Sequence, residues 1–130
     1  MELNILSALK ESNPETRASV FSDSLNKANF QGNVISNLTG SNEAGMYLGL
    51  TLKGNSFGDV FNDLTSILRA AKQLNSSLYD GELIISTPQS KDLDKLVIVF
   101  EEFDGNINKG TLGRKTSRNI NEVIFTVVFN

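Results

Sequence analysis

The chain reads as an α+β protein: a mainly antiparallel sheet with one long amphipathic helix packed on it and a helical pair at the N-terminus. Three observations predict this. Residues 46–53 alternate, with Met46, Leu48, Leu50 and Leu52 on one face. Residues 56–75 repeat apolar side chains at helical spacing. Residues 95–103 and 122–129 are apolar on both faces of an extended chain, the pattern of central or helix-covered strands. A length of 130 residues with 39% hydrophobic content suits a single domain, residues 1–130, that buries a core without disulfide or metal. No internal repeat or linker divides it.

The elements follow in order. Residues 1–28 form a helical region. Leu3, Ile5, Leu6 and Leu9 make residues 2–11 a short amphipathic helix. Asn13 then caps a second helix over 14–27, with Pro14 at its first position and Glu15 at the positive end of its dipole. Its narrow apolar face holds Ala18, Phe21, Leu25 and Ala28. The segment 30–42, rich in Asn, Gly and Ser, has room for a short edge strand over Val34–Leu38. The alternating strand 46–53 ends at a Gly54-Asn55 turn. Ser56 caps the next helix, with Asp59 completing a capping-box-like pattern. Phe57, Val60, Phe61, Leu64, Ile67, Leu68, Ala71 and Leu74 form its apolar face; Asp63, Arg69, Lys72 and Gln73 form its polar face. A short strand over 82–87 stops at Pro88, and strands over 95–103 and 122–129 follow. The connection from 46–53 through the helix to 82–87 also allows a parallel crossover, which would make the sheet mixed.

Histidine and cysteine are both absent. Histidine is the usual acid–base group near neutral pH, and cysteine is the strongest nucleophile. Both lead among ligands for transition metals. Histidine-dependent hydrolases, thiol chemistry, zinc sites and haem sites are therefore not expected. No residue takes a catalytic or metal-binding role, no cofactor is expected, and the protein is read as a non-enzyme. A carboxylate enzyme with magnesium ranks last, because no clustered ligand pattern supports it. No apolar run approaches the roughly 20 residues that span a bilayer. The N-terminus lacks a basic stretch followed by an apolar one, so a cytoplasmic location is the default expectation and no membrane partner is foreseen.

The chain carries a net charge of −3. That argues against a general polyanion binder, but the charge is uneven. Residues 104–119, read as a long loop joining the last two strands, hold Lys109, Arg114, Lys115 and Arg118 against the single acid Asp104. This gives the loop +3 and leaves the rest of the chain at −6, since the whole is −3. Loops of this length inside compact domains are often functional or disordered. The functional reading is a basic hairpin arm gripping an anionic partner, with these four cations as partner-binding residues. The plainer reading, given equal weight, is a solvated hairpin tip. No aromatic residue lies in the loop, which weakens a single-strand nucleic-acid reading.

Other short patterns carry less. Asp104-x-Asn106-x-Asn108 begins like a calcium loop, but Gly110 falls one place late and Lys115 stands where a bidentate glutamate is required. Gly110-Thr111-Leu112-Gly113 resembles a phosphate clamp that normally joins two helices, whereas two strands are expected here. Glu101 and Glu102, as neighbours on a strand, would point to opposite faces and could not act as a pair.

The favoured function is a small protein-interaction module of inhibitor, immunity or adaptor type. It would present the basic loop on an acidic body to a protein partner with an acidic surface. Dimerisation through a sheet edge or the terminal strand is a further expectation. In composition the chain resembles small accessory proteins of phages and mobile elements, a likeness that carries no residue. The alternative is a nucleic-acid-binding protein, for single-stranded or duplex DNA or RNA, using 104–119 as a basic arm.

Overall fold

In the computed structural model of the protein, the described residues form three helices and four strands: α1 (Pro14–Lys27), β1 (Asn33–Asn42), β2 (Gly45–Lys53), α2 (Phe57–Gln73), β3 (Ser76–Ile85), α3 (Ser90–Asp104) and β4 (Glu122–Phe129). The structure describes residues 13–42, 45–74, 76–85, 90–104 and 122–130. The helix expected over 2–11 lies outside these residues.

Helix α1 starts where Asn13 accepts a hydrogen bond from the Thr16 N–H at 2.8 Å, with Pro14 as its first residue. It buries Ala18, Phe21 and Leu25, but also Arg17 and Ser22. Helix α2 starts at Ser56, whose hydroxyl accepts from the Asp59 N–H at 3.3 Å.

The strands form one sheet in the order β1-β2-β4-β3, and every neighbouring pair is antiparallel. Strands β2 and β3 run in the same direction, but β4 stands between them. Among the described residues the sheet is therefore antiparallel throughout, and not mixed. Strand β4 is central, as its two apolar faces require. Strands β1 and β3 are the outer strands among the described residues, and both are longer than the Val34–Leu38 and 82–87 segments expected.

The largest correction concerns residues 95–103, expected as a strand and found within helix α3. Its apolar residues Leu93, Leu96, Val97, Phe100 and Phe103 fall at helical spacing, and the last four are buried. Ile98, which a two-sided strand would bury, is 56% exposed. Glu101 and Glu102 are consequently successive residues of a helix, both exposed, rather than opposite faces of a strand. The element before the basic segment is thus a helix and not the strand expected, and residues 105–121 themselves lie outside the described residues.

Alternation gives the sheet two unlike faces. Leu48, Leu50 and Leu52 join Val123, Phe125, Val127 and Phe129 in one continuous core with the helices. Phe21 of α1 tilts against Phe129, and Phe100 of α3 meets Phe125 edge-on, each pair with ring centroids 5.7 Å apart. Burying each of these rings contributes up to about 3 kcal/mol. Phe125 and Phe129 share a face, so α1 and α3 lie on the same side of the sheet.

Three buried polar groups tie the layers together. Asp63, expected on the exposed face of α2, is only 3% exposed. Its two carboxylate oxygens accept from the backbone N–H groups of Gln31 and Gly32, each at 2.8 Å, fixing the entry to β1. Gly32 is needed there because a Cβ would collide with the Lys53 carbonyl oxygen. Arg17, 4% exposed, donates to the Leu74 carbonyl at 2.5 Å and to the Asn130 carbonyl, joining α1 to the ends of α2 and β4. Ser36 meets the Ser22 hydroxyl at 2.9 Å and donates to Asn26 Oδ1 at 3.1 Å, fastening β1 to α1.

Candidate functional site

The same helical repeat that buries α3 creates a groove along its contact with α2. Thr65, Leu68, Arg69 and Lys72 of α2 line one wall, and Val99, Glu102 and Phe103 of α3 line the other. Positions 65, 68, 69 and 72 are spaced three and four apart, as are 99, 102 and 103, so each set projects from one helix face. Leu68 and Phe103 are buried and form an apolar floor. Arg69, Lys72 and Glu102 are exposed and form the rim. Thr65 turns its hydroxyl back onto the Phe61 carbonyl at 2.8 Å.

The rim is net positive: two cations oppose one carboxylate. The Lys72 ammonium donates to the Glu102 backbone carbonyl at 3.1 Å, which draws α2 and α3 together. That bond uses one of the three protons of an ammonium group. Among the described residues, the ion pair within 4 Å is Lys53 with Glu122, 3.4 Å apart at the far end of the sheet. Arg69 thus presents a planar five-donor guanidinium to solvent beside an apolar floor, the geometry that recognises carboxylates.

The four cations singled out in the sequence, Lys109, Arg114, Lys115 and Arg118, lie outside the described residues. In the chain they follow Asp104, the last residue of α3, which is adjacent to Phe103 in the groove. Sequence reasoning put Arg69 and Lys72 on the polar face of α2 but gave them no role. The groove needs α3 as its second wall, and its signal was the spacing of Leu93, Leu96, Val97, Phe100 and Phe103.

A second surface differs in chemistry. Ile35 and Leu38 on β1 are 44% and 43% exposed. Asn33, Asn37 and Ser41 on the same strand are exposed as well. Elsewhere, the shallow hollow bounded by Gln31, Gly32, Asn33, Lys53, Gly54 and Asn55 holds one cation, Lys53, which Glu122 already neutralises.

Among the described residues no group of three or more acidic side chains lies close enough to hold a metal ion. No described helix is long and apolar enough to cross a membrane. No family model, no curated protein and no solved structure matches the chain. What the site can do must therefore be argued from its own chemistry.

Proposed function

We propose that the protein is a non-enzymatic protein-interaction module whose partner presents an acidic, partly apolar segment to the groove between α2 and α3. The observation that carries this reading is the pairing of Arg69 and Lys72 with the buried floor of Leu68 and Phe103. An apolar floor supplies affinity through excluded water, and a cationic rim supplies orientation and faster encounter with an acidic partner. The basic stretch that follows Asp104 extends the same sign of charge along the chain, which supports an acidic partner over a neutral one. The apolar floor supports a protein segment over a nucleic-acid backbone, whose contacts are dominated by phosphate. An inhibitor or adaptor role needs no more than such a surface.

The test is fluorescence anisotropy. A labelled peptide alternating Glu and Leu is titrated against the full chain, beside single-stranded DNA, duplex DNA and RNA, at low and physiological salt. The peptide should bind more tightly than any nucleic acid, and Arg69→Glu with Lys72→Glu should weaken it at least tenfold. Nucleic-acid binding that survives physiological salt and is lost in Arg114→Glu with Lys115→Glu would replace this reading with a basic arm for nucleic acid. Absence of peptide binding even at low salt would remove the acidic-partner reading.

A further inference from the structure

Among the described residues, strand β1 is an edge with none of the usual protections. Edge strands carry a row of unpaired backbone donors and acceptors, and proteins normally guard them with charge, proline, shortness or a covering element. Residues 33–42 contain no charged residue and no proline. The strand spans ten residues. Its contacts with other described elements go to β2 on one side and to α1 on one face. It pairs with β2 in unbroken register from Asn33 to Leu38, and a shift follows before Gly40. Ser36, bonded to Ser22 and Asn26, holds the middle of this stretch against α1. Among the described residues the edge is therefore regular over 33–38, anchored and exposed. Two of the large hydrophobic side chains that remain most exposed, Ile35 and Leu38, stand on it.

We propose that the free edge of β1 pairs antiparallel with the same edge of a second copy of this chain, joining the two sheets into one. Three arguments select a second copy. First, the strip is neutral while the whole chain carries −3, so it is a line along which two acidic copies can meet without like-charge repulsion. Lys53, cross-strand from Asn33, is already paired with Glu122.

Second, the strip is self-complementary. A two-fold axis normal to the sheet keeps the helix-covered faces of both copies on one side, so residues of like face oppose each other. Leu38 of each copy then lies beside Val34 or Ser36 of the other. It gains the neighbour it lacks in the single chain, where it is 43% exposed although its cross-strand partner Leu48 is fully buried.

Third, the other edge is not an equivalent target. Strand β3 contains Asp80 and Glu82 and shifts register against β4 between Tyr79 and Ile84. Head-to-tail β1-to-β3 stacking, which would grow into a fibre, is thereby disfavoured, and the closed pair remains.

A pairing confined to residues 33–38 buries less than the roughly 1,200 Å² of a standard interface, so a weak, concentration-dependent dimer follows. This association does not involve the α2–α3 groove and stands whether or not that groove takes an acidic partner.

The experiment is sedimentation velocity on the full chain across about 10 µM to 1 mM, the range in which small interfaces associate. The wild type should move from the monomer toward the dimer mass, and Ile35→Lys with Leu38→Lys should remain monomeric throughout. A wild type that stays monomeric at 1 mM overturns the proposal, and so does a dimer that persists in the double variant with its circular dichroism unchanged. Should the variant fold poorly, amide hydrogen exchange of the wild type decides. Exchange at residues 33–38 should slow as concentration rises; equal rates at both ends of the range would overturn the proposal.

Discussion

The two sides of the molecule solve the problem of exposed surface in opposite ways. On the α1 side, the edge strand β1 is neutral, regular and fastened from behind by Ser36. On the α2–α3 side, an apolar floor of Leu68 and Phe103 lies under a rim of Arg69, Lys72 and Glu102. A neutral edge places no restriction on charge and suits a copy of itself. A cationic rim repels a second cationic rim and selects a partner of the opposite sign. The contrast implies that association through β1 responds weakly to salt, whereas binding in the groove weakens as salt rises.

The change with the largest expected effect removes one side of this comparison altogether. Phe100 is fully buried against Phe125 and anchors α3 to the sheet. Phe100→Ala should cost about 3–5 kcal/mol and loosen the second wall of the groove, as read by chemical denaturation. Next comes Asp63→Ala, which strips two N–H groups of their buried carboxylate acceptor. A loss of about 2–4 kcal/mol is expected, with faster amide exchange at Gln31 and Gly32 at the entry to β1. These two variants should damage opposite sides: the first the groove, the second the edge.

Arg69→Glu with Lys72→Glu sharpens the comparison without unfolding either side. Both residues are exposed, so stability should change by no more than about 0.5 kcal/mol per substitution. The acidic peptide should nevertheless lose at least tenfold in affinity, about 1.4 kcal/mol. The smallest effect is expected from Glu122→Gln. It releases Lys53, which is 45% exposed, from a carboxylate that is only 6% exposed, and should cost about 1 kcal/mol by thermal denaturation. Its use lies in leaving an unneutralised cation opposite Asn33, which should make self-association more sensitive to salt.

Much of this architecture is legible in the residues, and the exceptions have physical causes. The caps Asn13 and Ser56, the alternation of 46–53 and the two apolar faces of 122–129 each depend on neighbours a few positions away, and each element stands where those signals place it. Helix α3 departs from the expected strand because Leu96-Val97-Ile98-Val99-Phe100 is a contiguous apolar run with three β-branched residues at its centre, which periodicity alone does not assign. Helical propensity differences are only a few tenths of a kcal/mol per residue, and packing of Leu96, Phe100 and Phe103 into the core outweighs them. Strand β1 was seen only in part, since its Asn, Ser and Gly residues favour turns until pairing with β2 holds them extended. Asp63 looked like a surface acid, because its partners Gln31 and Gly32 are 32 and 31 positions away and no local pattern reports them.

The candidate site was legible as charges without a shape. Arg69 and Lys72 were visible on α2, but a groove exists only where α3 lies beside them. The cations at 109, 114, 115 and 118 remain a reading of charge along the chain.

The central claim, an acidic segment seated between α2 and α3, is tested most directly by titrating the Glu–Leu peptide into isotope-labelled protein and following backbone amide shifts. Saturable shifts are expected at Arg69, Lys72, Val99, Glu102 and Phe103, with residues 33–38 of β1 unmoved by the peptide. Shifts concentrated on β1, or none in the groove at saturating peptide, would contradict it.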